Sequence, residues 1–159
     1  MKRVKSDGIL IYCKDCKENV TSSDQLINIK SEQSVATRNE SFAHEHGIIV
    51  QEFINPGGHH FDLVTVKQAK VVESGGRNSD ATFFAGFDWT IVGTVKFMFL
   101  KLTWFMMLLR FNLFSTIIIV CPKCHNHIGW AFTPSHAKQG AKPTFYALIH
   151  DKLFYEMNG

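Results

Sequence analysis

Two Cys-x-x-Cys pairs, Cys13-Lys-Asp-Cys16 and Cys121-Pro-Lys-Cys124, use all four cysteines of the 159-residue chain and constrain its fold more than any other feature. Two residues between cysteines let one tight knuckle present both sulfurs to the same ion while backbone amides donate to them. Four thiolates complete the tetrahedral shell that zinc prefers. A shell filled by protein has no open position for water or substrate. The reading is therefore a structural zinc held by Cys13, Cys16, Cys121 and Cys124, with the function to be sought elsewhere. Its rival is a pair of disulfides or four unrelated buried thiols. A disulfide inside one Cys-x-x-Cys is more often a redox motif than a staple, and two of them in one small chain unlike thioredoxin weigh towards metal.

The length suits one domain with a real core. A hydrophobic fraction of 45% and a charged fraction of 19% are ordinary for a globular protein and exclude disorder over most of the chain. The formal charge of +3 comes from 17 basic against 14 acidic residues with no arginine-rich run, so no nucleic-acid partner is expected. The run Ile9-Leu-Ile-Tyr12 is too short for a signal-peptide core. As written, the chain is expected in a reducing, cytoplasmic compartment, which suits thiolate ligands. Secretion becomes the expectation if an N-terminal exon is missing.

Strand signals dominate the rest. Residues 9–12 read as a strand entering the first knuckle, and residues 19–24 as a polar turn leaving it. The stretch from Ile27 to His46 is polar and poorly periodic, a long surface loop or a weak strand pair. Gly47 to Ile54 is β-branched, Asn55-Pro-Gly-Gly58 is a turn by composition, and Phe61 to Lys67 alternates apolar and polar; together they predict a hairpin. Val71-Val72 is a short extended segment followed by a loop over residues 75–80. Aromatic strands follow at residues 82–90, 128–133 and 144–149. The sum is mostly β.

Val95 to Val120 breaks this pattern. It is almost unbroken Phe, Leu, Met, Ile, Thr and Trp, without strand alternation or a helix cap, yet long enough to cross a bilayer as a helix. Lys101 and Arg110 argue against a span, since each costs on the order of 2.5 to 3.5 kcal/mol at the centre of one. A span would also throw the two cysteine pairs to opposite sides of a membrane, so the zinc reading excludes it.

Trp89, the pair Cys121-x-x-Cys124 and Ile128-Gly-Trp-Ala-Phe-Thr133 occur in an order that resembles the CULT domain, the ligand-binding domain of cereblon. Asn55-Pro-Gly-Gly58, Leu63-Val-Thr-Val66, Phe83-Phe-Ala-Gly-Phe-Asp-Trp89 and Thr144-Phe-Tyr-Ala-Leu148 extend the resemblance over most of the chain. It implies a β-tent, two antiparallel sheets set at an angle and pinned by the zinc. It also implies an aromatic cage for a cyclic imide such as glutarimide, or for a uracil-like ring. The three tryptophan walls of the family fall on Phe83, Trp89 and Trp130, with Phe132 as a floor. Backbone groups over Ala81 to Phe83 would bond the ring's edge, and Asn55 would sit near its exposed end. Two positions depart from the family: Phe83 replaces a tryptophan and Ala81 a histidine, which removes an indole donor and a side-chain hydrogen bond.

The resemblance further implies a single CULT-like domain over residues 8–150, interrupted by a hydrophobic insertion at 93–119, with 151–159 as a tail. The insertion has the bias of translated AT-rich sequence and is read as an unspliced intron or gene-model artefact, its rivals being a membrane anchor and a hydrophobic lid. Its partners would be a small cyclic-imide or uracil-like ligand, or a protein chain end bearing one. A ubiquitin-ligase link would need a partner that supplies the other cereblon domains.

Each residue also has a plainer reading. Phe83 and Phe87 are first core fillers, Trp130 beside Gly129 is first a packing residue, and Asn55 before Pro56 is first a turn former. His59, His60, His125 and His127 could ligate a second metal, but four cysteines already complete one shell. Two other functions compete with the cage: a zinc scaffold that has lost its ligand, and a methionine sulfoxide reductase of the B class, which shares the tent fold. The reductase needs a thiolate outside the zinc shell, and no fifth cysteine exists, so no enzyme is expected.

Overall fold

The computed structural model describes residues 8–41, 47–94, 124 and 126–156. Among the described residues, eleven strands form two antiparallel sheets, as the mostly-β reading expects. The smaller has the order β11-β1-β2, from β1 (Leu10–Cys13), β2 (Asn19–Ser22) and β11 (Leu153–Glu156). The larger has the order β4-β5-β6-β10-β9-β8-β7. Its strands are β4 (Ala36–Glu40), β5 (Ile48–Ile54), β6 (His60–Val66), β7 (Val71–Asn78), β8 (Phe87–Thr94), β9 (His127–Pro134) and β10 (Phe145–Ile149). The two-residue β3 (Leu26–Ile27) also pairs with β6. Among the described residues no helix is long and apolar enough to cross a membrane.

The larger sheet is apolar on both faces, which is why β9 and β10 read as nearly continuous hydrophobic runs. One face packs on the small sheet: Val50, Val64, Val66, Ala131 and Leu148 meet Ile11, Val20 and Leu153. The opposite face carries Phe53, Leu63, Trp130, Phe132, Phe145 and Ala147, and Phe84 descends onto it from the loop before β8.

Strand alternation would put Ile128 and Trp130 on the same face, yet Ile128 belongs to the first cluster and Trp130 to the second. A register shift between Val92 and Gly93 and the φ of +157° at Gly129 absorb one residue and turn the strand over. A one-residue slip of this kind exchanges the two faces of a strand. Only glycine fits here, since a Cβ would lie 2.2 Å from the Ala147 carbonyl oxygen.

Several boundaries move. Asn19–Ser22 is a strand rather than a turn, because Val20 and Thr21 are buried between β1 and the segment before β7. The segment 27–46 yields β4, which pairs with β5 from Ala36↔Glu52 to Glu40↔Ile48. β7 runs on through the glycines 75 and 76 with a bulge, where a loop was expected. Phe83 and Phe84 stand in a bend, and the strand itself begins at Phe87. Gly93 and Thr94, assigned to the insertion, extend β8, Gly93 pairing with both Val72 and His127. The rest of that segment lies outside the described residues. Residues 153–156 are a strand of the small sheet, paired with β1 from Leu10↔Glu156 to Cys13↔Leu153, rather than a tail.

Candidate functional site

Two sites emerge from the residues singled out above. At the end of β1, Cys13 is fully buried and the chain turns back at once. The Cys13 N–H donates to Glu18 O (2.9 Å), and the Lys17 N–H donates to Cys13 O (2.9 Å). The turn requires a positive φ, supplied by Lys17 at +56°. Cys124 meets it from the other side: the three sulfurs of Cys13, Cys16 and Cys124 lie within 4.8 Å of one another. Zinc–sulfur bonds of about 2.3 Å in a tetrahedron require sulfurs roughly 3.8 Å apart, so the spacing can accept a metal ion. Cys121, the fourth expected ligand, lies outside the described residues.

Burial pushes the Cys13 thiol above its ordinary pKa, while the backbone N–H groups of Cys16 and Asp15 pull it down. Amides aimed at the sulfur are what a metal-bound thiolate needs. The two knuckles are also tied directly, Asn126 Nδ2 donating to Asp15 Oδ2 at 2.5 Å, and the Lys14 N–H donates to Lys152 O at 2.8 Å. Among the described residues this is the only group of three or more close metal-ligating side chains. Two of the histidines considered for a second metal have ring partners: His60 pairs with Glu52, and the His127 ring bonds Gly129 O at 2.9 Å.

On the second apolar face of the large sheet, a cavity of about 290 Å³ is lined by Asn55, Pro56, Asp80, Ala81, Phe83, Trp89 and Trp130. Register explains the tryptophans. Trp89 faces Phe132 across β8 and β9, and Trp130 faces Ile91, so the two indoles are diagonal cross-strand neighbours. Such positions lie about 7–8 Å apart on one face, a spacing that admits a planar ring between large side chains. Trp89 is held by its Nε1–H, which donates to Asp80 O at 2.8 Å. Phe83 meets Trp130 almost at a right angle (87°, centroids 5.4 Å) and rests on Phe53 at 4.9 Å.

Phe132 is not on the cavity wall. It is fully buried beneath, stacked on Phe145 at 5.0 Å and touched edge-on by Phe84 at 4.8 Å. Asn55 shapes the β5–β6 turn as well as lining the cavity, since its Oδ1 accepts the His59 N–H at 2.9 Å and its carbonyl accepts from Gly58. Ala81 adopts φ +49°. A left-handed alanine costs about 1–2 kcal/mol, and such strain gathers at ligand-facing loops.

Sequence reasoning missed the supports. Buried Gln51 accepts the Ser31 N–H at Oε1 and donates to Ile29 O from Nε2, each at 2.7 Å. Ser31 Oγ in turn donates to the Phe83 carbonyl at 2.5 Å. This relay from the sheet to the cage loop spans three distant segments, and no local signal marks it. Pro56 and Asp80, also unforeseen, complete the lining. A second hollow, of about 300 Å³, lies beside β2. There Lys70 Nζ is paired with Asn19 Oδ1 and Thr21 Oγ1 with Gln68 O, so its polar groups serve the fold.

His127 links the two sites. It stands three residues after Cys124, and its ring abuts Trp130 edge-on at 4.6 Å. Burial holds its pKa below the ordinary imidazole value, against the raising effect of its bond to Gly129 O. Compared with known proteins, the chain matches no protein-family model and no curated protein.

Proposed function

We propose that the chain is a non-enzymatic binding module of the CULT type, in which a structural zinc holds the fold and the aromatic cavity receives a cyclic imide or a uracil-like ring. The observation that carries this reading is the cavity itself: Phe83, Trp89, Trp130, Asn55 and Ala81, chosen by the resemblance, line one hollow of about 290 Å³. That volume lies at the small end of ligand pockets and suits a single ring. Aromatic faces would bury the ring, and polar groups at the rim would orient it.

The cysteine cluster supports zinc as the metal, because three cysteine sulfurs, with backbone N–H donors at Cys13, form a soft ligand set. Cys121 would complete it. Bound zinc would supply cross-linking between β1 and the approach to β9, and no chemistry of its own. A catalytic thiol is not expected, since all four cysteines belong to the two pairs. The partner would then be a small ring, free or at a protein chain end, and any role in a ubiquitin ligase would come through another subunit.

Glutarimide and uracil titrations followed by tryptophan fluorescence test this reading. A saturable quench at or below millimolar ligand is expected, with methionine sulfoxide reductase activity absent. A flat titration together with a tightly bound stoichiometric metal would favour the zinc scaffold that has lost its ligand.

A further inference from the structure

The cavity has an electrostatic character that a neutral ring does not use. Among the described residues, its lining contains three aromatic rings and one charged residue, the exposed Asp80, with no lysine, arginine or histidine. Aromatic faces carry the negative end of the ring quadrupole, so a cavity lined by three aromatic residues and one acid favours a cation over an anion. Two features reinforce the bias. The Trp89 Nε1–H is committed to the Asp80 carbonyl, which takes a donor away from any ligand carbonyl and anchors Asp80 at the wall. Neither Phe83 nor Ala81 offers a side-chain donor. Shape points the same way, because Phe83 and Trp130 meet at 87° and form a corner. A corner lets a rounded headgroup touch more than one ring at once.

We infer that the cavity bounded by Phe83, Trp89 and Trp130 takes an N-methylated ammonium headgroup, with Asp80 as its counter-charge. The inference shares the cavity with the cyclic-imide reading but does not depend on it. Methyl groups bury apolar surface against the rings while the diffuse charge interacts with their faces, and the cost of desolvating such an ion is lower than for a bare ammonium. A cavity of about 290 Å³ limits the ligand to the headgroup, whose substituent would leave past the exposed turn at Pro56 and Gly57.

The test is a titration of the full chain with choline chloride and with 3,3-dimethylbutan-1-ol, its neutral isostere, at constant ionic strength, read by tryptophan fluorescence. Choline is expected to bind saturably and on the order of tenfold tighter than the isostere. Equal affinity for the two, or no saturable choline signal, overturns the inference. Asp80→Asn is expected to lower the choline-to-glutarimide affinity ratio about threefold to tenfold, an effect that shrinks with added salt. An unchanged ratio removes Asp80 as the counter-charge and overturns the inference as stated. Circular dichroism confirms that the variant is folded. Glutarimide binding without choline binding defeats this inference alone, and choline binding without glutarimide binding defeats the imide reading alone.

Discussion

The two ends of this molecule are built on opposite plans. At the cysteine end, Cys13 is wholly buried, and backbone groups of Asp15 and Cys16 point at its sulfur. Every feature there serves closure. At the cage end, Phe83 and Trp89 are only half-buried, Ala81 sits in a left-handed conformation, and the loop carrying them is suspended from Gln51 through Ser31. Apolar surface is retained there where a fold alone would bury it. The difference separates what stabilises the chain from what remains for binding, and β9 joins the two, starting at His127, three residues after Cys124, and passing through Gly129 to Trp130.

The largest effect should come from the cysteine end. Structural zinc contributes free energy directly to folding, on the order of 10 kcal/mol in small domains. Cys13→Ser is expected to abolish stoichiometric metal, measured by mass spectrometry of the native protein, and to lower the melting temperature by more than about 15 °C. A variant that melts within a few degrees of the parent would show that the metal does not hold the sheets. Next comes the joint between the ends. Gly129→Ala would force a Cβ to 2.2 Å from the Ala147 carbonyl, and a loss of about 3 kcal/mol is expected from chemical denaturation. A loss below about 1 kcal/mol would mean that β9 does not need its turn-over at this point.

Smaller changes probe the cage with the metal end intact. Phe83→Trp should strengthen glutarimide binding by roughly tenfold, since it restores a longer wall and an indole donor, while moving the melting temperature by only about 3 °C. No gain in affinity would place Phe83 with the core alone. The smallest effect concerns His127, whose folded pKa is depressed chiefly by burial. Below the unfolded value of about 6.5 the unfolded chain gains a proton that the folded ring resists, so stability is full above that pH and falls as pH drops towards the folded pKa. His127→Gln should remove part of that slope, by about 1–3 °C between pH 7 and 5.5. An identical slope in the variant would show that His127 does not carry the pH dependence.

Much of the scaffold was legible because its signals are local. The cysteine spacing marked a metal knuckle, and the β-branched run 48–54 and the aromatic runs 128–133 and 144–149 marked strands. Polar edges were not legible. β4 reads Ala-Thr-Arg-Asn-Glu with its first four residues exposed, because edge strands need little apolar surface, and β2 shows one apolar residue, the buried Val20, among polar ones. β11 was taken for a tail since four residues carry too little pattern to reveal a partner 140 positions earlier. Phe83 and Phe84 illustrate the limit inside the site. Adjacent and identical, one lines the cavity and the other is buried on Phe132 and Phe145. Only the bend between Thr82, whose hydroxyl donates to Phe84 O, and β8 decides which is which. Likewise, nothing in Ile-Gly-Trp foretells that Gly129 redirects Trp130 to the cage face.

On this reading the metal end maintains the cage for a small ring. The decisive experiment is glutarimide titration of the full chain by tryptophan fluorescence, before and after removal of the metal with a chelator. A saturable quench by millimolar ligand that disappears with the metal is the predicted result. A flat titration of the metal-bound protein, or binding that survives metal removal unchanged, would contradict it.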